Sequence, residues 1–422
     1  MNEYDSELVA GLLEKQDYLR TDSTEDAQLI LLNTCSVREH AEEKVHARLG
    51  NLKSLKASDP SVMIGVLGCM AQNLKEDLLQ SKPYVDVILG PDSYRRLPGL
   101  LDERKNPKQN IVDTKLSRME VYDDLFPARR EGINAWISIM RGCDKFCTFC
   151  IVPFTRGRER SRSVQSIVDE ISRIRDEGFK EVTLLGQNVN SYLHEGMKFH
   201  ELLLECADVE GIERIRYTSP HPQDFDDDLI RVHTENPKIC NHIHFPLQAG
   251  SDPVLERMNR TYTKQHFLDL ALKMRENIPG LALTTDMIVG FPGEKEEDFQ
   301  HTLDVMDQVK FDSAFTFKYS PRPGTKAAEY EDSVPEEAKQ DRLQRMIFKQ
   351  KEHTLFRNRE HVGTTLEVLV EKDSKKSKKQ HQGRTRSNKI VIFDKAGEQP
   401  GDLVKTNIFD AHGITLFGKI VD

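Results

Sequence analysis

The chain has 422 residues, the length of about three domains at roughly 150 residues each, and 37% of its residues are hydrophobic. Its mean hydropathy of −0.57, its ordinary glycine and proline content and its lack of a run of about 18 apolar residues argue against a fibrous, disordered or membrane-spanning chain. The net charge of −9 argues against phosphate binding over the whole surface, and the acidic start lacks the layout of a secretion signal, so we expect a cytoplasmic protein.

The first 118 residues are predicted to form a parallel α/β domain with a ligand-binding edge. Short apolar runs predict three strands, at Leu29–Leu32, Val62–Leu67 and Val85–Leu89. The pattern from Val37 to Lys56 predicts a helix between the first two strands, and this order is typical of a parallel sheet. Cys35 and Cys69 each follow the C-terminal end of a predicted strand, which is the edge where open parallel sheets bind ligands.

The central part of the chain is predicted to be a partial barrel. Residues 102–130 are charged and poorly patterned, which predicts a linker with room for a short strand or hairpin. After them a strand-and-helix rhythm repeats six times, with predicted strands at Ala135–Arg141, Glu181–Gly186, Arg214–Thr218, His242–Leu247, Leu281–Val289 and Ser313–Tyr319. A long polar helix, Glu336–Arg359, follows the last strand. Six β/α units predict a partial (β/α)6 barrel over residues 129–359, with functional residues on the loops after the strands.

The tail, residues 360–422, is predicted to be a small all-β barrel. Short segments alternate apolar and polar residues and are separated by glycine and charged turns, as in Leu366–Val370, Lys389–Phe393 and Gly413–Val421. From His361 onward, eleven basic residues stand against eight acidic ones, so the tail is basic while the rest of the chain is acidic. This distribution indicates one local electrostatic footprint rather than a basic protein.

The cysteines indicate metal or redox chemistry in a reducing compartment. There are seven, an odd number in a chain without an export signal, so a disulfide framework is not expected. Cys143, Cys147 and Cys150 have the spacing C-x3-C-x2-C and directly follow the first barrel strand. Thiolates suit soft metals and iron–sulfur clusters, and three ligands from one loop leave the fourth iron of a cubane open for a substrate. A structural zinc site is the alternative, but no fourth Cys or His lies at a pairing distance.

This cysteine loop resembles the signature of radical S-adenosylmethionine enzymes, whose fold is a partial barrel. The resemblance implies that the loop holds a [4Fe-4S] cluster that binds S-adenosyl-L-methionine and cleaves it to methionine and a 5′-deoxyadenosyl radical. Phe149 matches the aromatic position near the adenine of the cofactor. The resemblance further implies that Gln187, Asn188, Gln248 and Ser251 line the cofactor or substrate pocket, with Val289 and Gly290 packed on the adenine.

Further motifs make the chain similar to the tRNA methylthiotransferase family over essentially its whole length. In chain order they are Asn33–Arg38, Gly68–Gln72, Leu185–Tyr192, Phe245–Ser251, Asp286–Glu294, Tyr319–Thr325 and Gly383–Arg386. The residues around Cys35 and Cys69 are most similar to the branch that acts on isopentenylated adenosine. The resemblance implies addition of a methylthio group to C2 of N6-isopentenyladenosine next to the tRNA anticodon. It also implies a reductant such as flavodoxin or ferredoxin, no membrane partner and a monomer.

By the same resemblance, Cys35 and Cys69 are two of the three ligands of a second [4Fe-4S] cluster, which supplies the sulfur. Without the family, a cysteine in a βα turn is as readily a small apolar filler. The family's first ligand precedes Met-Asn, the pair at which this chain begins, so that ligand and the first strand are expected to be absent, through an upstream true start or a truncation. We expect such a chain to insert sulfur poorly and to expose its first helix, including Leu8, Leu12 and Leu13.

The tail carries a candidate footprint for RNA. In the segment 371–390, eight basic residues stand against two acidic ones. A charge run is often only a solvated turn, but basic loops on a small β barrel are a common route to RNA phosphates. The tail also matches the TRAM domain, the RNA-binding domain of this family. Lys375, Lys376, Arg384 and Arg386 are therefore predicted to bind tRNA, through its anticodon stem-loop.

Two alternative functions remain open at this point. One is the same chemistry on another acceptor, either threonylcarbamoyl-adenosine in tRNA or a ribosomal protein. The other is a truncated cluster-carrying or RNA-binding form that no longer inserts sulfur. Cys206 and Cys240 are predicted to be buried structural residues, and no catalytic acid or base is assigned.

Overall fold

The computed structural model describes residues 1–35, 39–103, 109–130 and 132–421. The α-helices in this part of the chain are α1 Asn2–Glu14, α2 Glu39–Ser58, α3 Cys69–Leu74, α4 Glu76–Ser81, α5 Leu97–Asp102, α6 Val152–Arg156, α7 Val164–Asp176, α8 Phe199–Ala207, α9 Asp227–Glu235, α10 Asp252–Arg257, α11 Lys264–Asn277, α12 Glu296–Val309 and α13 Glu336–Arg359. The strands are β1 Leu29–Thr34, β2 Met63–Gly68, β3 Val87–Leu89, β4 Ile111–Asp113, β5 Asn134–Ser138, β6 Met140–Arg141, β7 Arg160–Ser161, β8 Glu181–Leu185, β9 Leu193–His194, β10 Met197–Lys198, β11 Arg214–Tyr217, β12 His242–His244, β13 Ala282–Val289, β14 Ser313–Lys318, β15 Thr365–Ser374, β16 Ser377–Thr385, β17 Ile390–Asp394, β18 Leu403–His412 and β19 Thr415–Ile420.

The chain divides into two compact units. The first contains residues 1–130, 138–146 and 150–166, and the second contains the remaining described residues. No helix in the described ranges is both long enough and apolar enough to cross a membrane.

The first unit is built on a four-stranded parallel sheet in the order β1-β2-β3-β4. The apolar runs form its middle strands because their side chains are buried, with Ile64, Val66 and Ile88 fully enclosed beside Leu49 and Leu52 of α2. The three predicted strands are therefore confirmed. The predicted start of α2 at residue 37 lies outside the described residues, as do positions 36–38 of the first family motif.

One prediction for the first unit is borne out in part and another is wrong. The charged stretch, predicted to be a linker with room for a short strand, contains the short strand β4, which pairs in parallel with β3 as a member of the sheet. The first helix does not present the predicted exposed apolar face, since Leu8 and Leu12 are buried and Leu13 is half-buried. The segment around Ala128 lies against α1: a Cβ added at Gly11 would fall 2.7 Å from the Phe126 carbonyl oxygen.

The second unit contains the barrel strands, arranged as two three-stranded sheets. Their orders are β11-β8-β5 and β12-β13-β14, and an isolated parallel bridge joins Ile215 to Ile239. The strand predicted over residues 135–141 ends at Ser138, and the residues after it form the separate strand β6. The long polar helix α13 has the predicted bounds. The six predicted strands are thus present, in an open arrangement typical of a partial barrel.

The C-terminal strands of the second unit close into a five-stranded barrel in the order β15-β16-β17-β19-β18, as predicted from their alternation. Its interior is apolar, with Val368, Val391, Ile408 and Leu416 fully buried. The buried guanidinium of Arg216 donates to the carbonyl oxygens of residues 385 and 386 at 2.8 and 2.9 Å. The small barrel is therefore hydrogen-bonded to strand β11 of the same unit.

Candidate metal and cofactor site

The three closely spaced cysteines lie on one loop between β6 and α6. Gly142 starts this loop at a φ of +82°, and a Cβ there would fall 2.0 Å from the Arg158 carbonyl oxygen. The backbone of Cys143 donates to the Gly157 carbonyl oxygen at 3.1 Å. Only glycine fits so close an approach, so Gly142 determines the point at which the loop begins after β6.

The middle of the loop is held by backbone contacts within the second unit. The N–H of Thr148 donates to the Met258 carbonyl oxygen at 3.0 Å, and its hydroxyl donates to that of Arg257 at 2.9 Å. The Thr148 carbonyl oxygen accepts from the N–H of Ala327 at 2.8 Å. These bonds fix the backbone beside Cys147, whose thiol is buried.

A guanidinium group contacts the buried thiol. Arg260 Nη1 lies 3.2 Å from Cys147 Sγ, and Arg260 Nε donates to Tyr262 Oη at 3.0 Å. Tyr262 in turn donates to the carbonyl oxygens of Pro246 and Leu247, at 3.0 and 2.9 Å. Burial opposes the charge of Arg260, but the tyrosine oxygen and the sulfur outweigh it and raise the pKa of the guanidinium. The sulfur thus faces a cation whose position is fixed.

Cys35 and Cys69 come together at one edge of the first unit's sheet. Strands β1 and β2 are parallel neighbours that pair Thr34 with Gly68, so the next residue on each strand is one of the two cysteines. Gly68 has a φ of +92°, and a Cβ there would fall 2.5 Å from the Thr34 carbonyl oxygen. The sheet register therefore brings together the pair that the family resemblance assigns to one cluster.

The Cys69 thiol also faces a buried arginine. Arg156 Nε lies 3.3 Å from Cys69 Sγ, and Arg156 Nη2 donates to Asp5 at 2.7 Å. The other oxygen of Asp5 accepts from Arg141 Nη1 at 3.0 Å, and all three side chains are buried. Burial alone would raise the pKa of Asp5, but Arg141 and Arg156 hold the pKa of this carboxyl below its usual range. Asp5 contacts both cations, and the next carboxylate, Asp92, lies 3.9 Å from Arg141 Nε, so the side of Arg156 next to Cys69 suits a further negative group.

The residues present fit iron–sulfur clusters in their donor chemistry. Three thiols on one loop match the three protein ligands of a cluster with one open iron, whereas structural zinc takes four. Arg156 Nη1 and Arg260 Nη2 are buried, and neither has a hydrogen-bond partner among the described residues. Buried N–H donors beside a thiol favour an anionic sulfur centre, because an unpaired buried donor costs about 1–3 kcal/mol.

One predicted cofactor residue, Phe149, contacts the segment that directly follows two others in the second unit. The ring of Phe149 contacts Phe291 edge-on at 6.4 Å between centroids, and Phe291 follows the predicted pair Val289 and Gly290 by one residue. Val289 is fully buried. Gly290 has a φ of +71°, and a Cβ there would fall 2.3 Å from Lys339 Cγ, so the glycine serves the close approach of α13.

The polar residues predicted after the strands have structural partners of their own. Asn188 donates to Asp224 at 2.8 Å, and Gln187 lies half-buried directly after β8. Gln248 bridges to β13 through its backbone. The hydroxyl of buried Ser251 donates to Asp298. The side chains of Asn188 and Ser251 hold the loops after the strands in place, and a cofactor role for all four residues stays a prediction.

The basic residues of the tail fall into two environments. Lys375 and Lys376 form the exposed turn between β15 and β16. Arg384 Nε donates to Glu371 at 2.7 Å, and Arg386 Nη2 donates to the Ile239 carbonyl oxygen at 3.0 Å. The two arginines are half-buried and engaged with the protein, whereas the two lysines face solvent.

Sequence reasoning missed the arginines beside the thiols. Arg156 lies 87 positions from Cys69, and Arg260 lies 113 positions from Cys147. Neither belongs to a motif, and a lone arginine in a helix or loop carries no signal of a buried partner. Cys206 and Cys240 are buried, as predicted, and burial raises the pKa of both thiols.

Comparison with family descriptions divides the chain into three parts. Residues 1–90 match the uncharacterized protein family UPF0004, residues 137–306 match the Radical SAM superfamily and residues 359–421 match the TRAM domain. Radical SAM enzymes bind [4Fe-4S] clusters and S-adenosylmethionine, and the TRAM match indicates an RNA substrate.

Curated relatives match the whole chain. A tRNA-2-methylthio-N(6)-dimethylallyladenosine synthase of Porphyromonas gingivalis is 47% identical over 100% of this chain and 93% of its own length. One from Acetivibrio thermocellus is 46% identical over 100% of this chain and 89% of its own length. Among solved structures, the radical S-adenosylmethionine methyltransferase TsrM of Kitasatospora setae, with cobalamin and a [4Fe-4S] cluster bound, shares the fold. Its TM-score is 0.57 at 15% identity, covering 77% of this chain and 74% of that one.

Proposed function

Because the chain belongs to the family of tRNA-2-methylthio-N(6)-dimethylallyladenosine synthases, we propose that it adds a methylthio group to C2 of N6-isopentenyladenosine next to the tRNA anticodon. The observation that carries the proposal is the loop with Cys143, Cys147 and Cys150, in which a buried guanidinium faces the middle thiol. Cys143, Cys147 and Cys150 would hold a [4Fe-4S] cluster, which would supply the electron that splits S-adenosylmethionine into methionine and a 5′-deoxyadenosyl radical able to take the hydrogen at C2. Radical chemistry is required because no side-chain base is strong enough to take a proton from this carbon.

The chain's own residues have distinct roles in this proposal. The Thr148 backbone and Arg260 orient the loop, and the edge contact of Phe149 with Phe291 offers an aromatic surface near it for the adenine of the cofactor. Gln187, Asn188, Gln248, Ser251, Val289 and Gly290 complete the proposed cofactor-binding set. The target base must leave its stack to reach these residues, as in other enzymes that modify a base.

We further propose that Cys35 and Cys69 hold a second [4Fe-4S] cluster, the source of the sulfur. Their adjacency in the sheet register and the buried cations beside Cys69 support this assignment. We assign only these two cysteines to the second cluster and do not name a third ligand for it. The proposed domains are residues 1–118, 129–359 and 360–422. The proposed protein is a cytoplasmic monomer reduced by a flavodoxin or ferredoxin.

The proposed function is tested by nucleoside mass spectrometry of tRNA. Cells that lack the gene should accumulate N6-isopentenyladenosine without the methylthio group, and a plasmid copy of the gene should restore the modified nucleoside. A plasmid with Cys147→Ala should fail to restore it. Unchanged nucleosides in the deletion strain would overturn the proposal, and methylthio groups missing only from threonylcarbamoyl-adenosine would assign another acceptor.

The basic hairpin of the tail gives a prediction for RNA binding. Changing Lys375 and Lys376 together to Ala should weaken binding of an anticodon stem-loop and reduce the slope of log Kd against log salt by about 1 to 2, because each phosphate contact contributes roughly 0.7 to 0.9. Arg384→Ala and Arg386→Ala should weaken binding as well, with part of the loss arising from their protein contacts.

The matched control for this prediction is Lys351→Ala, since Lys351 is exposed on α13 outside the tail. Binding is followed by fluorescence anisotropy of a labelled stem-loop over a series of salt concentrations. If the double lysine variant has the same salt slope as the control, Lys375 and Lys376 do not contact RNA phosphates and the prediction is wrong.

A further inference from the structure

The guanidinium of Arg260 is held in place beside the cysteine loop. Arg260 donates through Nη1 to Cys147 Sγ at 3.2 Å, while its Nε is held by Tyr262. The guanidinium carbon lies 5.0 Å from the centroid of the Tyr262 ring, so the plane of the fork is fixed as well. The arginine is thus positioned before any cluster binds.

The remaining terminal nitrogen of this side chain is also placed for sulfur. Arg260 Nη2 is buried without a hydrogen-bond partner in the described part of the chain. A guanidinium is planar and rigid, so one N–H of Nη1 and one N–H of Nη2 point in the same direction. Nη2 is therefore available to a sulfide of the same cluster that Cys147 would ligate.

Hydrogen bonds to cluster sulfurs change the energy of the two oxidation states unequally. The reduced cluster carries one more negative charge than the oxidised cluster, so a cation and N–H donors at its sulfur stabilise the reduced form more. Hydrogen bonds to the sulfurs and the local charge are among the features that set the potential of iron–sulfur clusters. A bond from a charged donor is roughly twice as strong as one from a neutral donor.

We propose that Arg260 is a positioning residue that raises the reduction potential of the cluster on the cysteine loop, by donating Nη1–H to Cys147 and Nη2–H to a cluster sulfide. This inference rests on the proposed function, because it takes Cys147 as a cluster ligand. It assigns Arg260 no contact with the reacting atoms. It also gives a function to the buried Nη2 of Arg260, which has no hydrogen-bond partner among the described residues while Tyr262 holds Nε.

The test is the midpoint potential of the cluster, measured by an EPR-monitored redox titration of the reconstituted chain without S-adenosylmethionine. Cys35→Ala and Cys69→Ala are introduced into every variant, so that the signal comes from the cysteine loop alone. Arg260→Gln should shift the midpoint to a more negative value. We expect about a tenfold lower ratio of reduced to oxidised cluster at a fixed potential, which corresponds to about 59 mV for one electron.

Two further variants separate tuning from folding. Arg260→Lys keeps the charge but loses the fork, so its midpoint should fall between wild type and Arg260→Gln. Tyr262→Phe removes only the oxygen that holds Arg260 Nε and should shift the midpoint in the same direction by less. Arg231→Gln, at an exposed arginine of α9, is the control and should leave the midpoint unchanged.

The outcomes distinguish this inference from the proposed function. If four irons assemble and the midpoint of Arg260→Gln and Tyr262→Phe equals that of the control, the inference is overturned while the proposed function stands. If the wild-type loop assembles no cluster, the proposed function fails and takes the inference with it. A graded shift in the order Arg260→Gln, Arg260→Lys, wild type supports the inference.

Discussion

Replacing Cys147 by Ala is expected to abolish cleavage of S-adenosylmethionine. The other two thiols of the loop cannot supply all three protein ligands of the proposed cluster, and S-adenosylmethionine would then lack its electron source. Enzymes accelerate reactions by roughly a million-fold or more, so losing the group that performs the chemistry should lower 5′-deoxyadenosine formation by at least about a thousandfold. The readout is 5′-deoxyadenosine by liquid chromatography and mass spectrometry after anaerobic reconstitution with a chemical reductant.

The matched control for Cys147→Ala is Cys206→Ala. Cys206 is fully buried in α8, and burial raises the pKa of its thiol, which disfavours the thiolate form that metals bind. This control should keep its iron and its activity. Equal cleavage by the two variants would contradict the assignment of the loop, whereas equal loss would indicate that both variants misfold.

Replacing Asp5 by Asn is expected to have the largest effect on stability. Asp5 is fully buried between Arg141 and Arg156, with distances of 3.0 and 2.7 Å. The amide keeps the shape of the carboxylate but leaves Arg156 without its paired carboxylate and Arg141 with only the more distant Asp92, at 3.9 Å. Breaking a buried ion pair from one side costs about 3–5 kcal/mol, and urea unfolding of the apo chain should show a loss of this size.

The control for Asp5→Asn is Glu3→Gln, an exposed acid in the first turn of the same helix, which should change the unfolding free energy by less than about 0.5 kcal/mol. The two variants should also differ in pH dependence. Because the pKa of Asp5 is lowered in the folded chain, its contribution is complete above the unfolded value of about 3.9 and is lost as pH falls through the folded value. An Asp5→Asn variant as stable as the control would contradict the buried network.

The regular elements of the fold were predictable because their signals are local. Helix α13 repeats a pattern over 24 residues, and its predicted bounds are those of the structure. Strand β4 has only three residues among charged neighbours. The sequence leaves room for a short strand there, but its pairing with Val87–Leu89 is not visible in any local pattern. Helix α1 likewise contacts a segment more than 100 residues away, since the Ala128 N–H donates to the Glu7 carbonyl oxygen, and no local pattern shows this contact.

In the candidate site, too, features set by neighbouring residues were predictable, and contacts between residues distant in sequence were not. The positions of all five cysteines directly after strands were predictable from local patterns, while their role as cluster ligands stays a prediction. Their arginine partners were not predictable, since Asp5 and Arg156 lie 151 positions apart and meet only in the folded chain. Ser251 lies in a recognisable motif, but the motif did not indicate that its hydroxyl donates to Asp298.

The most direct test of the account is the fate of the hydrogen at C2 of the substrate adenine. The reconstituted chain is incubated with S-adenosylmethionine, a reductant and an anticodon stem-loop whose N6-isopentenyladenosine carries deuterium at C2. The account predicts 5′-deoxyadenosine that contains deuterium, formed by the wild type and not by Cys147→Ala. Formation of 5′-deoxyadenosine without deuterium, at the same rate with and without the stem-loop, would contradict radical attack at C2.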